Sequence, residues 1–392
     1  MKKTRIKVLS VVGTRPEAIK MAPVIRALRR RPGRVDCRVC VTAQHRRLLD
    51  QVLHLFGIAP DYDLDVMAED QSPTQVAAAV LARLEPILRA ERPDWVLVQG
   101  DTTTVLAASI AAFYARARVA HVEAGLRTHD RWQPFPEEMN RRVASVVADL
   151  HLAPTDWARD NLLREGVPGD CIRVTGNPVI DALQWAASLP YDPAGGPLGA
   201  IPRDGRLLLV TAHRRENFGR PLEEICRALV DLVAAEGDLH VVYPVHPNPN
   251  VQGTVTRLLA GQSRVTLTPP LGYLALVYLL KRACLVLTDS GGIQEEAPGL
   301  GKPVLVLREV TERPEAVAAG TVQIVGTDRG RIVAAARRLL DDPEAYAAMA
   351  RAINPYGDGQ AAERIAAALL GEAVEPWRAP AYQGLPGIRV PA

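Results

Sequence analysis

The chain has 392 residues, 48% hydrophobic and 23% charged, with a net charge of +3. That length exceeds what one core usually serves and points to two globular domains. A charge so small, with no basic block, argues against a nucleic-acid binder, and no apolar run approaches the roughly 18 residues of a membrane span.

The N-terminus, Met1-Lys2-Lys3-Thr4-Arg5-Ile6-Lys7, is basic and runs straight into a strand. It has no small-residue cleavage site, so no signal peptide is expected. The first strand, expected over residues 7–12, ends at Gly13, and Pro16 stands where a helix begins. Proline suits a first helical position, because its fixed φ fits the helix and its missing N–H costs nothing there. Arg15 then lies at the helix N-terminus and Lys20 just over one turn in. Free backbone N–H groups and the positive end of the helix dipole add to these two cations, and the result is an anion site. Of the 47 Lys and Arg residues only six are Lys, at positions 2, 3, 7, 20, 281 and 302. A lysine at position 20 of so Arg-biased a chain marks a place for a compact point charge rather than a planar fork.

Further strands are expected at residues 35–42, 95–99, 119–122 and 172–175, with helices at 74–90 and 103–114 among them. Such alternation predicts an α/β fold with a parallel sheet and helices on both faces. Cys37 and Cys40 form a C-x-x-C, but three residues apart on a strand they face opposite sides, so core packing is expected. Five scattered cysteines fit a reducing, cytoplasmic setting. Three acidic sites stand at strand ends or loop junctions: Asp101, Glu123, and Glu137 beside Glu138 at the start of the next helix. Singly, Asp101 reads as a helix cap and Glu137 as a first-turn acid favoured by the dipole. Together at one sheet edge their repulsion would raise at least one pKa, placing an acid and a base in one pocket.

Residues 189–205 are rich in Pro and Gly and read as a linker after a helix at 179–187. A second series follows, with strands at 207–211, 240–244, 265–267, 285–288, 304–307 and 322–325, and helices at 222–235, 293–297, 332–340 and 360–370. His213 and Arg214 follow its first strand and His246 its second; His213 is placed to donate to a diphosphate. Ser290, Gly291 and Gly292 form a turn into a helix that offers a hydroxyl and backbone N–H groups to phosphate oxygens. Glu296, one turn further, is placed to accept from sugar hydroxyls. There is no dinucleotide glycine fingerprint, no P-loop and no metal-ligand spacing of His with Cys or carboxylates. No metal or cofactor is therefore expected, and the chain reads as a two-domain α/β protein gripping a phosphorylated sugar ligand.

Ten segments, in order, resemble the non-hydrolysing UDP-N-acetylglucosamine 2-epimerases: GTRPEAIKMAP from Gly13, TAQHR from Thr42, GDTTT from Gly100, HVEAGLRT from His121, PEEMNR from Pro136, HRREN from His213, YPVH from Tyr243, DSGGIQEEAP from Asp289, TERPEA from Thr311 and NPYGDGQ from Asn354. The resemblance runs from about residue 6 to 372. It implies a GT-B-like fold, two Rossmann-like domains with the active site in the interdomain cleft. The domains would be residues 1–178 and 179–358, with a helix over 359–373 returning to the first domain and a flexible tail over 374–392. The implied reaction is the reversible conversion of UDP-N-acetylglucosamine to UDP-N-acetylmannosamine, through UDP elimination and a 2-acetamidoglucal intermediate, for cell-surface polysaccharide. Carried over, Asp101, Glu123 and Glu137 would handle protons at C2, and Arg15, Lys20 and His213 would stabilise departing UDP. Ser290, Gly291 and Gly292 would hold the diphosphate, Glu296 the ribose, and Arg313 would contact or buttress the uridine diphosphate. Leu271 and Leu276 would lie by the uracil, with Leu276 where relatives often carry Phe. An allosteric pocket for a second UDP-N-acetylglucosamine would use Gln44, Glu137, Arg214 and His246. Arg47 there replaces a common Gln, and Asp70 a basic residue of some members. A homodimer is implied, with neither nucleic acid nor membrane as partner. The rival readings are a hydrolysing epimerase, a glycosyltransferase of the same fold, and a non-catalytic nucleotide-sugar sensor.

Overall fold

The computed structural model describes residues 5–42, 46–66, 68, 71–311 and 313–379. The chain divides into two compact units, one comprising Met1–Ala182 with Tyr356–Ala379 and the other Leu183–Pro355. Each is built on one all-parallel sheet.

In the first unit the strands are β1 (Ile6–Val12), β2 (Val35–Val41), β3 (Tyr62–Asp63), β4 (Trp95–Gln99), β5 (Arg118–Val122), β6 (Leu150–Ala153) and β7 (Ile172–Val174). They lie in the order β3-β2-β1-β4-β5-β6-β7. The expected strands all form, within about one residue at each end. β3 and β6 were not expected. β3 is two residues long, and β6 is a four-residue run beginning directly after Asp149, too short for periodicity to reveal. Both faces of β1 are covered. Leu9 and Val11 join a core with Val80, Leu84 and Val105, while Val8 and Val12 are also fully buried. A sheet buried on both sides explains why these strands read as continuous apolar runs rather than alternating ones.

The second unit holds β8 (Arg206–Thr211), β9 (Leu239–Pro244), β10 (Val265–Thr268), β11 (Leu285–Thr288), β12 (Val304–Val306) and β13 (Val322–Ile324), in the order β10-β9-β8-β11-β12-β13. Its core packs Leu208, Val210 and Leu287 against Ile225, Leu229 and Ile332 of the flanking helices. The final helix, Ala361–Leu369, lies on the first unit, where Glu363 pairs with Arg30 and Arg31 just past the end of the helix Arg15–Arg29. Trp377 beyond it donates its N–H to the Val174 carbonyl (2.9 Å). Most of the tail expected over 374–392 lies outside the described residues.

In both sheets the strand order reverses once, between β1 and β4 and between β8 and β11. At such a switch point adjacent connections leave to opposite sides and open a crevice at the carboxyl ends of the strands.

Candidate functional site

At the β1/β4 switch point, β1 passes through Gly13 into the helix Arg15–Arg29, and β4 passes through Gly100-Asp101-Thr102 into the helix Thr103–Tyr114. Only glycine fits at position 13. A Cβ there would stand 2.5 Å from Thr104 Oγ1 and 2.9 Å from Thr42 Oγ1. Pro16 sits within the first turn, as its fixed φ requires.

Glu17 ties the two turns together. One carboxylate oxygen accepts from the Gly13 and Thr14 N–H groups (2.6 Å each), and the other accepts from the Thr102 hydroxyl (2.5 Å). Burial pushes its carboxyl up to about 7, against the downward pull of these hydrogen bonds.

Lys20 donates to Glu123 Oε1, and both groups are buried. The same oxygen accepts from Asn177 Nδ2 (2.8 Å), and Oε2 accepts from Gln99 Nε2 (2.5 Å). Glu123 has φ +63°, a left-handed conformation that costs a non-glycine residue of order 1–3 kcal/mol. His121 Nε2 lies 2.7 Å from the Gly100 carbonyl, behind the Asp101 turn. Burial pushes its imidazole down to about 4, so the ring is neutral near pH 7 and its Nε2–H donates.

Asp101 is held by its backbone carbonyl, which accepts from Asn140 Nδ2 (2.9 Å), and by Arg141, 3.2 Å from Oδ2. Burial raises its pKa. Arg141 opposes that, while Glu123 and Glu137 add to it. Glu137 opens the helix Glu137–Val147, and its Oε2 is buried with no hydrogen-bond partner. Its neighbour Glu138 is committed to structure, accepting from the Thr128 and His129 N–H groups and lying 3.5 Å from Arg141.

At the β8/β11 switch point the acid has the opposite duty. Asp289 is fully buried, and its Oδ2 accepts from the His213 N–H (2.8 Å), the Arg214 N–H (2.8 Å) and Asn217 Nδ2 (3.0 Å). Its Oδ1 lies 3.4 Å from His213 Nδ1. The His213 ring stacks on that of His246, with centroids 5.3 Å apart. Burial lowers the His213 pKa, against the upward pull of Asp289, and His246 and Arg214 lower it further. Ser290 precedes the helix Gly291–Gly299, so Ser290, Gly291 and Gly292 occupy a helix N-terminus at the end of β11. Glu296, one turn on, accepts from the Tyr273 hydroxyl (2.9 Å). Arg313 Nε donates to Glu295 Oε1 (2.6 Å) in a buried pair that braces the same helix. Leu271 is buried and Leu276 half-buried.

The family model for UDP-N-acetylglucosamine 2-epimerases matches residues 26–370. The chain belongs to this family. It is 55% identical over 370 residues to the UDP-N-acetylglucosamine 2-epimerase of Escherichia coli K12, covering 93% of this chain and 98% of that one. Among solved structures, the UDP-GlcNAc 2-epimerase of Neisseria meningitidis bound to UDP-GlcNAc is similar at TM-score 0.88 and 47% identity, over 94% of this chain and 100% of that one. The glycotransferase of kitacinnamycin, at TM-score 0.63 and 15% identity over 94% of this chain and 99% of that one, shares the fold alone. The fold is GT-B-like, and the chain is an epimerase acting in the family's chemistry.

Within this 2-epimerase the structure brings Lys20, Asp101, Glu123 and Glu137 together, and likewise His213, Arg214 and His246. Arg15 sits half-buried at the start of the first helix. Gln44 and Asp70 lie outside the described residues, as does the Arg47 side chain. Sequence reasoning missed Glu17, Gln99 and Asn177. Glu17 carries a capping signal, an acid three residues after Thr14. Gln99 is a polar residue closing the apolar run of β4. Nothing local marks Asn177.

Among the described residues no helix is long and apolar enough to cross a membrane.

Proposed function

We propose that this epimerase interconverts UDP-N-acetylglucosamine and UDP-N-acetylmannosamine without hydrolysis. A carboxylate takes the C2 proton while the C1–O bond to UDP breaks, leaving 2-acetamidoglucal. UDP then adds back, and a proton returns to the other face of C2. The observation that carries this reading is the set of three unlike carboxyls at the ends of β4 and β5 and the start of the helix Glu137–Val147, beside the β1/β4 switch point. Glu123 is fixed by a cation and two amides. Asp101 has a raised pKa and stands against Arg141. Glu137 keeps a buried oxygen without a partner. One group is set as a fixed acceptor beside two carboxyls held differently, which suits proton removal at one face and delivery at the other.

A C2 proton is weakly acidic, so UDP departure needs electrostatic help. Arg15, Lys20 and His213 supply it in this reading. Ser290, Gly291 and Gly292 hold the diphosphate, Glu296 the ribose, and Leu271 and Leu276 the uracil. Arg313 acts indirectly, since its guanidinium is already bound to Glu295. The product serves cell-surface polysaccharide, and the working form is a cytoplasmic homodimer. A second UDP-N-acetylglucosamine at Glu137, Arg214 and His246 would be an activator.

The test is NMR of the purified protein with UDP-N-acetylglucosamine in deuterated water, with nothing else added. UDP-N-acetylmannosamine carrying deuterium at C2 is the expected product. Free N-acetylmannosamine with UDP would make the enzyme a hydrolysing one. Unchanged substrate without exchange would sink the reading.

A further inference from the structure

Asn177 lies in the first unit, which the chain leaves after Ala182 and re-enters at Tyr356. Two segments of that unit meet here: the Asn177 N–H donates to the Tyr356 carbonyl at 2.6 Å. They can approach so closely because position 176 is glycine with φ +82°, and a Cβ there would already stand 3.4 Å from Gly357 Cα and from the Tyr356 oxygen.

The side chain of Asn177, 1% exposed, faces two ways. Its Oδ1 accepts from the Val179 N–H (3.1 Å) at the start of the helix Pro178–Ser188, an ordinary N-cap. Its Nδ2 donates to Glu123 Oε1 at 2.8 Å, across 54 residues of sequence. That oxygen is the one Lys20 also addresses. Two donors from different elements fix its position more closely than one flexible ammonium would. A residue held at φ +63° needs such over-determination to keep its geometry. Lys20, Asp101 and His121 also bear on Glu123, and the Gln99 amide holds its other oxygen, Oε2, leaving Oε1 to Lys20 and Asn177.

We propose that Asn177 is a positioning residue for the reaction, its amide aiming the Glu123 carboxylate and its backbone tying that aim to the Tyr356 segment of the same unit. This rests on the proposed role of Glu123 in proton transfer at C2. Asn177 makes no contact with the reacting atoms in this account. It acts through Glu123.

The experiment compares Asn177→Ser and Asn177→Ala in the full chain, with Asp181→Ala as a control at the same place. Asp181 accepts from the Ala361 and Ala362 N–H groups beside the return passage and does not touch Glu123. Serine caps a helix as well as asparagine does, but its shorter side chain gives up the bond to Glu123. Deuterium incorporation at C2 gives kcat and KM, and thermal unfolding gives Tm. Both Asn177 variants are expected to lose about 10- to 100-fold in kcat, the range for a hydrogen bond to a charged group, with KM within about twofold. Asn177→Ser keeps a near-normal Tm, and Asp181→Ala loses Tm while keeping kcat. Normal turnover by Asn177→Ser, or losses of kcat that simply follow Tm across the three variants, would make Asn177 a cap and nothing more. If the wild-type protein itself shows no exchange, the assignment of Glu123 fails first and this inference with it.

Discussion

The two switch points differ in what their acids do. At β1/β4 the acid at the end of the second strand, Asp101, has a side chain 32% exposed and, among the described residues, pairs with Arg141. At β8/β11 the acid in the same place, Asp289, is wholly buried and turned back into the protein, where it orders the His213-Arg214 turn. One topology thus yields an edge of clustered carboxyls in one unit and an edge carrying His213 and Arg214 in the other. The direction in which a single carboxylate faces makes the difference. A buried acid with three donors orders a turn, and one beside two more acids is the kind of group the proposed reaction needs.

The strongest way to break this contrast is to neutralise the edge of clustered carboxyls. Glu137→Gln should lower kcat for C2 exchange by about 10²- to 10⁴-fold, as expected for loss of a general acid or base. UDP affinity by calorimetry should change little, and a large loss of UDP binding would place Glu137 with the phosphate instead. Next comes the edge carrying His213 and Arg214. Asp289→Ala leaves the His213, Arg214 and Asn217 donors without their acceptor, at about 1–3 kcal/mol each before relaxation. It should cost stability and UDP binding together. Asp289→Asn, which keeps one carbonyl oxygen for those donors, should recover much of both. Equal behaviour of the two variants would refute a scaffolding role.

A smaller effect lies in the pH dependence of stability. Burial raises the Glu17 carboxyl from 4.5 to about 7, so the folded state holds that proton more tightly than the unfolded chain. Its contribution is complete below about pH 4.5 and is lost as pH rises through about 7. His121 and His151 run the other way: burial lowers both from 6.5 to about 4, and their contribution is lost as pH falls through that window. In Glu17→Gln the opposing group is gone. Denaturant midpoints between pH 5 and 7 should then climb more steeply with pH than in the wild type, and an unchanged slope would argue against Glu17 titrating there. The smallest effect is expected for Tyr273→Phe, which removes one neutral donor from Glu296. It should change UDP affinity by roughly 1 kcal/mol, about fivefold, with kcat unaffected.

Much of this molecule is determined locally. Parallel strands buried on both faces must be apolar throughout, and the helices between them need turns of Gly, Pro and capping residues, so β1, β4 and β11 can be read almost to the residue. Asp101 after β4, Glu123 after β5, His213 after β8 and Ser290 after β11 can be read for the same reason, because a polar residue just after an apolar run lies at a strand end. Only the tertiary structure decided the strand order, and with it which of those ends meet at a switch point. It alone paired Lys20 with Glu123 over 103 residues and brought Asn177 to the same oxygen. It alone turned Asp289 inward and left Glu137 Oε2 buried without a hydrogen-bond partner. A hydrogen bond depends on position to within a few tenths of an ångström, and that precision exists only once distant segments have packed.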